Sequence, residues 1–174
     1  MTFEIYKNLA EINAMSAPDA EAVFLDCCGS TEWARSMAAL RPFKLVDDLY
    51  QWAGKKWFAL PPADWLEAFA AHPKIGSKKS AAAQKKQAAE WSKGEQSTAA
   101  SADERTKAKL AELNTAYEKR FGFIFIVCAT GKTADEILAI CKARFGNSVE
   151  TELRLAAAEQ QKITEIRLTK LLEK

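Results

Sequence analysis

Apolar side chains recur along most of this chain at intervals of three and four residues, the spacing that gathers them on one face of a helix. Phe3, Ile5, Leu9 and Ile12 make a loose opening pattern that fits either a short helix or an extended arm. Ser16 then offers a cap, with Pro18 near the start of a helix that buries Ala22, Val23, Phe24 and Leu25 and ends near Gly29. Ser30-Thr31-Glu32 restarts the chain, Trp33 and Met37 form an i,i+4 apolar pair, and Arg41-Pro42 interrupts it. Leu45, Val46, Leu49, Tyr50, Trp52 and Ala53 continue at helical spacing as far as Pro61-Pro62. Asp64 opens or caps the helix that follows, in which Trp65, Leu66 and Phe69 make an apolar stripe shared with His72 on its last turn.

Residues 77–90 contain no apolar side chain larger than alanine, so the tract has little to bury and is expected to be exposed and mobile. Three starts of capping-box form follow, at Ser92-x-x-Glu95, Ser101-x-x-Glu104 and Thr133-x-x-Glu136. The second introduces a long amphipathic helix through Leu110, Leu113, Asn114 and Tyr117 to about Gly122. The third introduces a helix carrying Ile137, Leu138 and Cys141. Between these two helices, Phe123–Cys128 is a continuous apolar run rich in aromatic and β-branched residues, too short for a helix and suited to a buried extended segment. A final helix spans about Ser148 to Leu172. The pattern predicts one all-α domain over residues 1–174, with about seven or eight helices around one short buried extended segment.

Composition fits this picture. Apolar residues at 48% and charged residues at 28% are ordinary globular values, and 174 residues suit one domain with a substantial core. A net charge of +2 gives no reason to expect nucleic acid or an acidic membrane as partner, and the basic run at Lys78, Lys79, Lys85 and Lys86 lacks interleaved aromatics. No apolar stretch approaches the roughly 20 residues of a membrane span. The four cysteines, two of them adjacent at Cys27 and Cys28, have no metal-ligand spacing, and one histidine cannot complete a usual zinc set. Free buried thiols in a reducing cytosol are therefore expected, and neither a signal peptide nor a C-terminal peroxisomal address is apparent.

Candidate chemistry is sparse. His72 projects from an apolar stripe just before Pro73, which suits either a core histidine bonded to a carbonyl or a titrating group at the mouth of a pocket. Arg167 lies four residues after Ile163 and four before Leu171, on the inward side of the last helix. It either snorkels outward or grips a carboxylate or ureido oxygen. Arg154 looks like a surface residue. Glu95 either caps its own helix start or presents an oriented carboxylate, and Gln96 beside it offers amide groups to a polar heterocycle or to water. Gly131-Lys132-Thr133 imitates the end of a phosphate-binding loop, but Ile126 stands where that loop requires glycine.

Several ordered motifs together resemble one family. Cys27-Cys28-Gly29-Ser30 with Trp33-Ala34 and Arg41-Pro42-Phe43 is similar to its N-terminal signature, and His72-Pro73-Lys74-Ile75-Gly76 to its catalytic motif. Ser92-x-x-Glu95-Gln96 resembles its second motif, and Leu113-Asn114-x-x-Tyr117-x-x-Arg120-Phe121-Gly122-Phe123-x-Phe125-Ile126-Val127-Cys128-Ala129 its third. The family is 2-oxo-4-hydroxy-4-carboxy-5-ureidoimidazoline (OHCU) decarboxylase, of the oxidative route from urate to allantoin. The chain departs from the family pattern at Ile124, where proline is usual, and in the Lys/Ala-rich tract before Ser92.

The resemblance implies an all-helical, cytoplasmic, homodimeric carboxy-lyase that needs no metal or cofactor and yields (S)-allantoin. Carried over by motif, His72 and Glu95 are catalytic, and Pro73, Ser92, Gln96, the Phe125, Ile126, Val127, Cys128 and Ala129 backbone and Arg167 hold the substrate. Two rival readings stay open at this point: a non-catalytic helical interaction module, and a decarboxylase of a related small ureido acid.

Overall fold

The computed structural model describes residues 2–74, 86–95, 97 and 103–173, among which the regular elements are all helices and no strand occurs. Nine helices occur among them, one or two more than the apolar spacing predicts: α1 (Thr2–Ala14), α2 (Ala17–Cys28), α3 (Thr31–Ala39), α4 (Val46–Ala59), α5 (Pro62–Ala70), α6 (Lys86–Glu95), α7 (Glu104–Phe121), α8 (Ala134–Arg144) and α9 (Val149–Leu172). The opening segment is therefore a helix and not an arm, with Leu9 and Ile12 buried. None of the nine is long and apolar enough to cross a membrane.

The chain divides into two compact units, Met1–Ala68 with Gln161–Lys174, and Phe69–Gln160. In the first unit, Ser16 caps α2 by accepting from Asp19 N, and Gly29 ends it at φ 87°, a left-handed conformation that glycine adopts without steric cost. The face α2 buries is centred on Phe24 with Ala20, Cys27 and Cys28, whereas Ala22, Val23 and Leu25 are only half-buried. The expected block of four neighbours spans more than one face of a helix, and the face with Phe24 prevails. Phe24 stacks edge-on against Trp33 at 6.0 Å and Phe43 at 6.3 Å.

Trp33 Nε1 donates to Ala53 O at 3.0 Å, tying α3 to α4. On α4 the buried positions are Leu49, Ala53 and Trp57, one turn apart, while Leu45 precedes the helix and is 53% exposed. Asn13 and Phe43 exchange side-chain-to-backbone bonds of 2.8 and 2.9 Å. The Arg41 guanidinium donates to three carbonyls, those of Ile12, Met15 and Ala38. The Arg41 bonds satisfy carbonyls at the C-terminal ends of two helices, α1 and α3.

Several helix starts differ from expectation. Pro62 is the first residue of α5 and Asp64 N donates to Pro61 O at 3.1 Å, so Asp64 lies inside the first turn. The helix ends at Ala70, two residues before His72, and Leu66 is 40% exposed and off the apolar face. Ser92 is not a cap, because α6 is already helical from Lys86 and Trp91 and Ala88 are buried beside it. This also corrects the expectation for the end of the 77–90 tract, and residues 77–85 lie outside the described residues. The long helix α7 is capped by Asp103, which accepts from Thr106 N at 2.7 Å, and the proposed cap Ser101 is outside the described residues. Thr133 and Glu136 do form the expected capping box on α8.

In the second unit, Phe69, Tyr117, Phe121, Phe123 and Phe125 form one aromatic cluster, with Tyr117 at 4.5 Å from Phe121 and 5.1 Å from Phe125. The expected extended segment is present: Phe123 and Phe125–Ala129 are buried and belong to no helix or strand.

All four cysteines are buried and unpaired with one another. Burial pushes the Cys28 thiol up to about 12 and the Cys141 thiol to about 11, against an ordinary value of 9.0. Two consequences follow. The native protein resists a soluble thiol reagent at pH 8 and all four thiols label after denaturation; rapid native labelling of Cys28 would contradict its burial. Between pH 9 and about 12 the unfolded thiols ionise while Cys28 stays protonated in the fold, so unfolding releases protons and the melting temperature falls across that window.

Candidate active site

His72 lies two residues beyond the end of α5, and its backbone N–H closes onto Phe69 O at 3.1 Å. Pro73 cannot donate a helical hydrogen bond, so the chain turns away there and leaves the imidazole half-buried. His72 Nε2 meets Gln160 Oε1 at 2.7 Å. Gln160 is completely buried on α9, four residues after the buried Ala156. Its neighbour Glu159 accepts from Cys128 N–H at 2.8 Å. One turn of α9 thus holds both the histidine and the extended run.

The run is pinned at further points. Arg144 donates to Ile126 O at 2.9 Å, Lys132 Nζ to Cys128 O at 2.8 Å and Lys132 N to Ala129 O at 3.0 Å. Arg144 also lies over the Phe125 ring at 4.8 Å. Its ion-pair partner is Glu152, which has no exposed surface and accepts as well from Tyr117 Oη and from Asn147 Nδ2 at 2.8 Å. Burial first, and then the bond to Glu152, hold the Tyr117 phenol well above its usual range.

Ser92 and Glu95 are both buried on α6. Glu95 lies at the other end of its helix from a cap, so capping is not the reason for that carboxylate. Burial raises the Cys128 thiol; the Thr130 backbone and Lys132 work against this, while the charges of Glu159 and Glu95 reinforce it. The second unit therefore holds His72, Pro73, Ser92, Glu95 and the Phe125–Ala129 backbone. Gln96, Ile75 and Gly76 lie outside the described residues.

Arg167 belongs to the first unit. It is 3% exposed, so it does not snorkel, and its guanidinium donates to Asp26 O at 3.3 Å. Arg154 is a surface residue paired with Glu150. Among the described residues, no group of three or more His, Cys, Asp and Glu side chains is arranged to share a metal ion.

Sequence reasoning missed Glu159, Gln160, Arg144 and Glu152. Helical register offers a signal for three of them: Glu152 lies four residues before Ala156, and Glu159 and Gln160 follow Ala156 and Ala157 by about one turn. Polar residues in register with small apolar ones mark an inward polar position. Arg144 has no such signal, because its charge at a helix C-terminus suits the macrodipole equally well.

Comparison with known proteins adds four findings. Residues 13–169 match the family model described as OHCU decarboxylase. The chain is 45% identical over 147 residues to the uric acid degradation bifunctional protein TTL of Arabidopsis thaliana, matching 83% of this chain but only 45% of that protein's length. It is 30% identical to the 2-oxo-4-hydroxy-4-carboxy-5-ureidoimidazoline decarboxylase of Amia calva, over 76% of this chain and 75% of that one. It is also similar to a crystal structure of OHCU decarboxylase obtained in the presence of (S)-allantoin, with TM-score 0.75 and 40% identity over 87% of this chain and 97% of that chain.

The buried Arg144–Glu152 pair leads to a stability prediction. Replacing Arg144 by methionine strands a buried carboxylate and is expected to cost about 3–5 kcal/mol in urea denaturation. Removing the exposed Arg154 charge by the same substitution changes stability by about 0.5 kcal/mol or less. Equal losses for the two variants would contradict the network.

Proposed function

The chain belongs to the OHCU decarboxylase family, and on that premise we propose that it converts 2-oxo-4-hydroxy-4-carboxy-5-ureidoimidazoline to (S)-allantoin. The observation that carries the reading is His72, the one histidine of the chain, held at 2.7 Å by a buried amide in the same unit as buried Ser92, Glu95 and the Phe125–Ala129 backbone.

The chemistry suits such a set. Carboxylate and hydroxyl share one ring carbon of the substrate, next to unsaturation that accepts the electron pair left when carbon dioxide departs. The bond breaks most easily when the carboxylate stands out of the ring plane. The intermediate is enol(ate)-like, and one proton must reach one face of the carbon that becomes the stereocentre. No metal or cofactor is required as an electron sink.

In this reading His72 mediates the proton transfers, since an imidazole serves as both base and acid near neutral pH. Glu95 polarises or orients it. Pro73, Ser92, Gln96 and the backbone of Phe125, Ile126, Val127, Cys128 and Ala129 hold the substrate. Arg167 grips a substrate oxygen, a role that rests on the resemblance and on its burial. Binding energy spent on the carboxylate orientation lowers the barrier only where it favours the transition state over the bound acid. A homodimeric, cytoplasmic enzyme is part of the same proposal, and light scattering of the purified chain tests the dimer.

The intermediate is unstable, so the assay generates it from urate in situ and follows the optical activity of the allantoin formed. The parent protein is expected to accelerate formation of one enantiomer over spontaneous racemic decay. His72→Asn is expected to lower kcat by about 10²–10⁴-fold while keeping the parent's circular dichroism. A folded His72→Asn protein working at the parent rate would sink the assignment.

A further inference from the structure

We infer that Gln160 is a positioning residue that fixes the tautomer of His72, holding the proton on Nε2 and leaving the basic lone pair of the neutral ring on Nδ1. This rests on the reading of His72 given above and goes one atom deeper.

The argument starts from the kind of atoms in contact. An amide oxygen has no proton to give, so a bond of 2.7 Å between Gln160 Oε1 and His72 Nε2 requires the proton to be on the ring nitrogen. Gln160 is completely buried, so water cannot substitute for it without cost. The residue that carries the amide is well placed. Its backbone is held within α9, where the preceding residue, Glu159, accepts from Cys128 N–H at 2.8 Å.

His72 itself is less constrained by its own chain. It lies beyond the end of α5, where the bond from its backbone N–H to Phe69 O continues the turn. A side chain on a helix end next to Pro73 gains its orientation from a partner elsewhere, and the amide of Gln160 provides one. Neutral imidazole in solution interchanges its two tautomers, and only one places the lone pair on a given nitrogen. A site that moves one proton to one face therefore gains from a fixed choice.

The single histidine of the chain makes the test direct. Untagged protein carrying 15N-histidine gives one pair of imidazole signals. Above the ring's titration midpoint, the parent is expected to show a protonated Nε2 with a slowly exchanging proton. Gln160→Met, which keeps the volume but has no amide oxygen, is expected to show fast exchange and both tautomers. Gln160→Glu, which restores an acceptor, is expected to recover the slow Nε2 proton. In the allantoin assay Gln160→Met should lose about 10- to 100-fold in kcat with KM changed far less.

An Nδ1-protonated ring in the parent overturns the inference, and so does a Gln160→Met spectrum identical to the parent's. The parent spectrum decides even if Gln160→Met fails to fold. Because that spectrum needs no substrate, a parent that forms no allantoin above background refutes the proposed activity and leaves the tautomer result to stand or fall separately.

Discussion

A backbone that runs extended through an apolar interior, with no neighbouring strand, must have its polar groups satisfied one by one. Residues 125–129 meet that constraint with side chains from three directions along the chain. Arg144 takes the Ile126 carbonyl, Glu159 the Cys128 N–H, and Lys132 the Cys128 carbonyl. A sheet would have satisfied these groups in a fixed ladder. Side-chain partners satisfy them individually, so each peptide group can be aimed separately.

Each of these partners then needs support of its own. Arg144 is buried and its charge is matched by Glu152, which is in turn surrounded by Tyr117 and Asn147. Tyr117 also belongs to the aromatic cluster with Phe121, Phe123 and Phe125. The packing of the second unit and the orientation of the run are therefore one problem with one solution, and Gln160 adds His72 to it through the residue next to Glu159.

The helical architecture was largely legible because it depends on local signals: Ser16 and Thr133 as caps, the restart at Ser30, helix ends near Gly29 and Gly122, which the structure places in left-handed conformations, and the apolar run that is too short to coil. The misreadings share a cause. Ser92 has the spacing of a cap, but the burial of Ala88 and Trp91 extends the helix through it, and tertiary packing overrides a local motif. Leu66 and Leu45 are apolar yet exposed, because periodicity gives a face only once the helix boundaries are right. Among the candidate site residues, His72, Ser92 and Glu95 are marked by motifs, whereas register with Ala156 and Ala157 marks Gln160 and Glu159 only as inward polar positions of a long helix. What gives them meaning is a hydrogen bond across 88 residues to His72 and one across 31 to Cys128, which no local pattern encodes.

The hub at Glu152 also bears on how such a sequence can drift. Arg144, Tyr117 and Asn147 all donate to it, and an ionised carboxylate can only accept, so the carboxylate and its donors fit as a set. Exchange of any one member leaves a buried donor or charge unmatched, while a concerted exchange for apolar residues of similar volume need not. Substitutions at these positions are therefore strongly epistatic, and lineages sharing the fold would be expected to keep the whole group or to have replaced it together.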